Sequence, residues 1–286
     1  MEAFIVQPQA RILQPISNAP RLSTSVCEPV REIEITDELG TRRAIFIPAE
    51  RPLTVFMDGR ELVTLMTLGA SPELLVLGFL GNQRLIEDAA AIEAISVDWN
   101  SGAAHVTSRQ PTRGIAAPPQ RIVAGGSGQG SIYARIISQL EAIKLPGVKE
   151  ARLRARTLRQ LLDTMRQHDS IHRHARSVHS CALFGGDSLL VSVEDVGRHN
   201  ALDTISGWMA LHGIQGGDKI LFTTGRLTGE IVIKAAQRGV PIVVSRNGVS
   251  SMGYDVAEKL GMSLFGRAVG RRFQCYVGSE RFDADD

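Results

Sequence analysis

Aromatic side chains are scarce, at 5% of 286 residues. That shortage argues against a stacking platform for nucleic-acid bases. An excess of one charge is missing too. Lys and Arg number 32 against 30 Asp and Glu, a net charge of +2, too small for the electrostatic footprint of a nucleic-acid-binding surface. Cysteine occurs only three times, at Cys27, Cys181 and Cys275. The three lie far apart, form no CxxC pair and are odd in number, so no disulfide framework is expected and a reduced, cytoplasmic setting is the default. Long apolar runs are also absent. The most apolar short window, Leu74-Leu75-Val76-Leu77-Gly78-Phe79-Leu80, is far too short to span a bilayer. Met1-Glu2-Ala3-Phe4-Ile5-Val6 has neither the basic start nor the long apolar stretch of a secretory signal. Neither a nucleic-acid partner nor membrane insertion is expected.

What is present divides the chain in two. Residues 1–30 mix Pro, Ser, Arg and Gln without periodicity and read as a loose, disordered arm. Residues 31–118 read as a small α+β domain. Arg43–Ile47, Leu53–Met57 and Glu61–Met66 look like strands, and Asp58-Gly59 is a strong hairpin signal between the last two. Ser71-Pro72-Glu73 opens a helix, with Ser71 as N-cap and Pro72 where a missing N–H costs nothing. Asn100-Ser101-Gly102 joins a second hairpin, Ile92–Trp99 and Ala103–Ser108. Pro111 to Pro119 is a turn-prone link. Residues 119–286 begin with a glycine-rich loop, 124–131, and a helix over Ile132–Ile143. Another helix starts near Thr157. From Leu189 onward, strands and helices alternate: strands Leu189–Val193, Lys219–Thr223, Val240–Ser245, Ser263–Gly266 and Phe273–Val277; helices Asn200–Leu211, Thr228–Arg238 and Met252–Leu260. That order argues for a largely parallel sheet with right-handed crossovers.

Three constellations carry chemistry. The densest is Glu194-Asp195-Val196-Gly197-Arg198-His199-Asn200-Ala201-Leu202-Asp203, at a strand-to-helix junction, where open α/β sheets bind ligands. Asp195 and Asn200 are placed to cap the helix, and His199 and Asp203, four apart, share a helix face. The second is a pair of strand ends, Thr223-Thr224-Gly225-Arg226 and Ser245-Arg246-Asn247-Gly248. Arginine there suits phosphate, which its planar fork binds bidentately. A further basic cluster, Arg267, Arg271 and Arg272, lies near the last strand. The third is Ala124-Gly125-Gly126-Ser127-Gly128-Gln129-Gly130-Ser131, which suits either close backbone approach to an anion or a hinge. It lacks the Lys-Ser/Thr end of a Walker A loop, and no strand–turn–helix elbow makes Ser127 a hydrolase nucleophile. His172, His174, His179 and Cys181 fit no standard zinc spacing, and no metal is assigned.

These residues resemble a known family. Residues 194–203 resemble the signature of FdhD proteins, the formate dehydrogenase accessory sulfurtransferases. Thr224-Gly225-Arg226-Leu227 is similar to that family's S-G-R-L/M, and Ile242-Val243-Val244-Ser245-Arg246 to its strand-end S-R. Leu77-Gly78-Phe79-Leu80 resembles its A-L-G-F-L helix, and Leu264-Phe265-Gly266 through Phe273 and Tyr276 its closing aromatic-arginine run. The resemblance spans roughly residues 45–277. It implies an α/β fold with a cytidine-deaminase-like mixed sheet flanked by helices over 119–286, beside the smaller α+β domain, and a homodimer. It implies a sulfur carrier that takes persulfide sulfur from a cysteine desulfurase and passes it to bis-molybdopterin guanine dinucleotide for formate dehydrogenase, GDP-like nucleotides mimicking that cofactor. The implied cofactor-binding residues are Arg267, Ala268, Val269, Gly270, Arg271 and Arg272, joined by Gly225, Arg226, Ser245, Arg246, Asp195, His199, Asn200 and Asp203 from the strand ends and the 194–203 segment. Two departures stand out. Arg267 and Val269 replace an aromatic residue and an arginine of the family's hexapeptide. Ser127 occupies the position of the persulfide cysteine, and a hydroxyl cannot hold a persulfide. An engineered Cys→Ser change, a natural cofactor-binding chaperone that transfers no sulfur, and relocation of the sulfur to another cysteine such as Cys181 are the three explanations open at this point.

Overall fold

A computed structural model describes residues 14–110, 143–168 and 170–284. The elements follow in chain order. Strands β1 (Arg21–Leu22), β2 (Val30–Thr36), β3 (Arg42–Pro48), β4 (Arg51–Met57) and β5 (Arg60–Thr67) precede helix α1 (Pro72–Asn82). Next come β6 (Ile92–Asp98), β7 (Ala103–Ser108), β8 (Leu153–Arg154), α2 (Ala155–Gln167), α3 (Ile171–His174), β9 (His179–Gly185), β10 (Ser188–Asp195) and α4 (Arg198–Leu211). The chain continues with β11 (Lys219–Thr223), α5 (Gly229–Gln237), β12 (Ile242–Ser245), α6 (Ser251–Leu260), β13 (Ser263–Val269), β14 (Arg272–Val277) and β15 (Phe282–Asp283). The result is a mixed α/β protein. The expected link at 111–119, the glycine loop with Ser127 and nearly all of the helix expected over Ile132–Ile143 lie outside the described residues. Among the described residues no helix is long and apolar enough to cross a membrane.

The chain forms two compact units. One comprises Met1–Thr112, Gln167–Ala182 and Val191–Gly213; the other comprises Arg113–Arg166, Leu183–Leu190 and Ile214–Asp286. The first is therefore not a contiguous N-terminal piece, because it includes α4. The physical reason is the contact of α1 with α4. A Cβ on Gly78 would lie 1.7 Å from the Asp203 carbonyl oxygen, and one on Gly207 would lie 2.0 Å from that of Leu74. Two glycines thus let the helix backbones touch. Covered by α4 on one side and by the core on the other, α1 is apolar nearly all round, as a fully buried helix must be.

The sheet of the first unit runs β1-β6-β7-β4-β5, and β2-β3 forms a separate ribbon. The Asp58-Gly59 turn closes β4 onto β5 with φ of 50° and 80°, the paired left-handed conformation of a tight hairpin. Residues 14–30, expected to be loose, are instead anchored. Arg21–Leu22 pairs with β6, Ser23 Oγ donates to Glu73 (2.6 Å) and the Ser25 N–H donates to the same carboxylate (3.0 Å). Ser71, expected to cap α1, makes no side-chain cap bond.

The sheet of the second unit follows the order β10-β9-β11-β12-β13-β14. The 183–190 tip of the β9–β10 hairpin belongs to this unit and the rest of both strands to the first. Strands β11, β12 and β13 are parallel, and β14 returns antiparallel. Strand β9 escaped sequence reading because it is nearly all buried and so lacks the alternation that marks a half-exposed strand. The unit closes on Arg281. Its guanidinium, 3% exposed at residue level, donates to the carbonyls of Pro146, Gly147, Ala151 and Gly261 at 2.7 to 3.1 Å.

Candidate functional site: the 194–203 junction and the strand ends of β11–β13

The 194–203 segment folds as expected into a strand end and a helix start, but its three carboxylates, Glu194, Asp195 and Asp203, are buried. Glu194 accepts from Ser180 Oγ (2.5 Å) and from the His172 N–H (3.3 Å). Asp195 accepts from four donors: Thr67 Oγ1 (2.5 Å), the Leu68 N–H (3.3 Å), the Gly197 N–H (3.2 Å) and Asn200 Nδ2 (3.0 Å). Asn200 Nδ2 also donates to the Met66 carbonyl at 2.6 Å. Asn82 Nδ2 donates to Asp203 Oδ1 at 2.6 Å. Asp195 and Asp203 are 4% and 2% exposed. Burial pushes the Asp195 carboxyl above its ordinary range, and its hydrogen bonds pull it back only in part.

Expected helix capping by Asp195 and Asn200 is corrected here. Gly197 is the N-cap of α4, with no side-chain cap bond. Asp195 instead joins the β5–α1 connection to the β10–α4 turn, and its oxygens are occupied there. Arg198, His199 and Asn200, in the first turn of α4, are the partly exposed members of the cluster. Cys181 has no exposed surface, and its Sγ lies 3.9 Å from the Arg198 carbonyl. A persulfide carrier must be reached by both donor and acceptor, so a thiol so enclosed is unsuited to that task.

The strand ends of the second unit are built differently. Thr223 and Ser245 close two adjacent parallel strands, opposite each other in register, and Gly266 lies in β13 just past its last residue paired with β12. Their polar groups link sideways. The Gly225 N–H donates to Thr223 Oγ1 (3.0 Å), and Ser245 Oγ donates to the Gly225 carbonyl (2.6 Å). The Asn247 N–H donates to Ser245 Oγ (2.9 Å), and Asn247 Nδ2 to the Thr224 carbonyl (2.8 Å). The Arg267 N–H donates to the Asn247 carbonyl at 2.9 Å. This rail holds the two loops that carry Arg226 and Arg246 against the part of β13 that carries Arg267. All three arginines are exposed, and none has a carboxylate partner among the described residues. Gly225 and Ser245 are buried and serve the rail rather than solvent. Sequence reading named Ser245 and Arg246 but missed Asn247 as the joint; the only signal was its place between a strand-end Ser-Arg and Gly248.

The hexapeptide 267–272 spans the β13–β14 turn. Arg267 has φ of 49° and Gly270 of 61°; Ala268 is buried, and Val269, Arg271 and Arg272 are exposed. Gly270 and Arg271 also line a cleft of about 330 Å³ with Ala155, Leu158, Arg159, Leu162, Phe273 and Phe282. Among the described residues no cluster of His, Cys, Asp and Glu could hold a metal ion.

The chain is 30% identical over 233 residues to the sulfur carrier protein FdhD of Bacillus pumilus (strain SAFR-032), covering 81% of this chain and 88% of that protein. It is equally similar, at 30% over 233 residues with the same coverage, to the sulfur carrier protein FdhD of Bacillus subtilis (strain 168). Its structure is similar to the crystal structure of a formate dehydrogenase accessory protein from Desulfotalea psychrophila, with a TM-score of 0.70, 25% identity, and coverage of 91% of this chain and 99% of that one. The FdhD/NarQ family model matches residues 48–283, a span that takes in both the 194–203 junction and all three arginine-bearing strand ends, and the chain belongs to that family.

Proposed function

We propose that the protein is a sulfur-carrier-type accessory protein for formate dehydrogenase. It takes persulfide sulfur from a cysteine desulfurase and delivers it to bis-molybdopterin guanine dinucleotide, acting as a cytoplasmic homodimer with a cytidine-deaminase-like second unit. Support comes from family membership and from relatives named sulfur carrier protein FdhD. The observation that carries the cofactor part is the set of exposed arginines Arg226 and Arg246, just past the ends of β11 and β12, and Arg267, in β13 beyond its parallel pairing. Cations without carboxylate partners beside glycines and backbone N–H groups fit the phosphates of a guanine dinucleotide. Arg271 and Arg272 extend the basic surface, and Gly225 and Ser245 hold the backbone that presents it. His199 and Asn200, which belong to the other unit, are proposed as polar ligand contacts on that unit by itself. Asp195 holds Asn200 from behind, and Asp203 accepts from Asn82.

The cofactor supplies the molybdenum to which sulfur is delivered. The chain's own part is to bind its anionic end; position 127 is where the family's persulfide cysteine sits, and the Ser127 hydroxyl present there cannot itself hold the sulfur. Calorimetry with GDP tests the binding part: saturable binding is expected, and its absence would remove the cofactor assignment. Sulfur transfer from labelled cysteine, with a desulfurase present, tests the carrier part. The Ser127→Cys variant should gain protein-bound persulfide and the Ser127 protein should not. No gain in the cysteine form overturns the carrier position.

A specific observation favours a second reading, a cofactor-binding chaperone that transfers no sulfur. Position 127 bears a hydroxyl, and Cys181 is fully enclosed. Equal activation of formate dehydrogenase by the Ser127 protein and its Ser127→Cys variant would select this reading.

A further inference from the structure

The second unit holds a cleft of about 330 Å³, and none of its lining residues comes from the β11 and β12 strand-end loops. One wall is helix α2, where Leu158 and Leu162, four apart, share a buried stripe. The opposite wall is aromatic. Phe273 and Phe282 have ring centroids 5.0 Å apart, and Phe265, with no exposed surface, braces them at 5.7 and 5.8 Å. A wall packed in this way is rigid before anything binds, which lowers the entropy cost of binding. Phe273 and Phe282 keep partial exposure, and Val269, beside the same turn, is 57% exposed. The polar part of the lining has one sign. Arg159 and Arg271 are exposed there, and no acidic residue lines the cleft. Neighbouring positions repeat that sign, with Arg152, Arg154, Arg156 and Arg272 all exposed. The carboxylates of this region are engaged. Asp163 accepts from Arg166 (3.1 Å), Asp187 from Thr157 Oγ1 and Glu150 from the Gly147 N–H (2.7 Å), and Asp283 lies 3.7 Å from Arg152.

We propose that this cleft docks a segment of a partner protein, one that carries a bulky apolar side chain flanked by carboxylates. Composition and size decide the occupant. Aromatic residues and arginine are enriched where proteins meet, and acidic residues are depleted there. A cleft at the small end of the ligand-pocket range takes a side chain or two, and a bis-molybdopterin guanine dinucleotide far exceeds it. The apolar side chain lies between Leu158, Leu162 and the Phe273–Phe282 wall. Its flanking carboxylates meet Arg159 and Arg271, whose planar forks match carboxylate oxygens. The apolar floor supplies affinity, while the arginine rim selects an acidic partner and speeds encounter. The inference stands apart from the cofactor reading and assigns this face to protein recognition.

The test is fluorescence polarisation of the full chain with a labelled Glu-Glu-Leu-Phe-Glu-Glu peptide. Lys-Lys-Leu-Phe-Lys-Lys and Glu-Glu-Ser-Ser-Glu-Glu peptides serve as controls. The first should bind saturably, and each control at least about tenfold more weakly. Raising salt from about 0.05 M to about 0.5 M should weaken the first peptide, because the rim is exposed. Arg159→Glu reverses a rim charge, and Ala155→Phe fills the cleft from a partly exposed lining position. Each should weaken the first peptide about tenfold with thermal unfolding little changed, so that a loss of fold in one leaves the other decisive. Arg31→Glu makes the same charge change on the other unit and should leave binding unchanged. Saturating GDP should not displace the peptide. Absence of saturable binding, equal binding of the serine peptide, an equal loss in Arg31→Glu, or displacement by GDP each overturns the docking site.

Discussion

Two polar regions of this molecule look alike in sequence and behave differently in structure. The 194–203 segment packs five ionisable side chains into ten residues, yet Glu194, Asp195 and Asp203 are buried with protein donors on their oxygens. The strand-end loops of β11–β13 are sparser in charge, yet Arg226, Arg246 and Arg267 are exposed without carboxylate partners among the described residues. Density of charge therefore marks a joint in one place, and unpaired charge marks a binding surface in the other. A buried carboxylate is stable only when donors surround it. An exposed arginine beside glycine keeps its donors for a ligand.

Substitutions can break this contrast, and the largest effect is expected in the joint. Asp195→Ala strands Thr67 Oγ1, Asn200 Nδ2 and two backbone N–H groups, and denaturant unfolding should show a loss on the order of 4 kcal/mol. Stability within half a kcal/mol or so of the unaltered protein would show that the joint is not structural. Gly78→Ala comes next. Its methyl meets backbone rather than a movable side chain, so a loss of about 2 to 3 kcal/mol is expected by the same measurement. Arg246→Ala should leave thermal unfolding nearly unchanged and weaken GDP about tenfold. A large fall in melting temperature without a binding change would reverse the contrast.

The smallest expected effect is a pH dependence. Burial raises the folded-state pKa of Asp195. A group of this kind contributes stability that is full below its unfolded value, about 3.9, and is lost as pH rises through the folded value. The stability advantage of the unaltered protein over Asp195→Asn should therefore be greatest near the acid end and shrink toward neutrality. An advantage that grows with pH would contradict burial as the dominant cause.

Much of the fold was legible in the sequence for local reasons. The β4–β5 hairpin announces itself through Asp58-Gly59, whose observed positive φ values few other residue pairs tolerate. Helix α6 ends at Gly261 in the left-handed conformation, as a glycine there implies. The contact of α1 with α4 was not legible, because Gly78 and Gly207 are far apart in sequence and glycine inside a helix reads only as a weak spot. The anchoring of residues 14–30 depends on Glu73, an acceptor no local pattern reveals. In the site, strand-end placement correctly brought Thr223–Arg226 and Ser245–Gly248 to one edge of the sheet. It could not tell that Asp195 faces Thr67 and Leu68, since those partners lie on a distant segment.

The most direct test of this contrast is a GDP titration of three proteins side by side: the unaltered chain, Arg226→Ala with Arg267→Ala, and Asp203→Asn. The double arginine variant should lose at least about tenfold in affinity with thermal unfolding little changed, whereas Asp203→Asn should lose stability and keep GDP affinity within about threefold. Loss of GDP binding in Asp203→Asn, with full binding in the arginine variant, would contradict the assignment of binding to the strand ends.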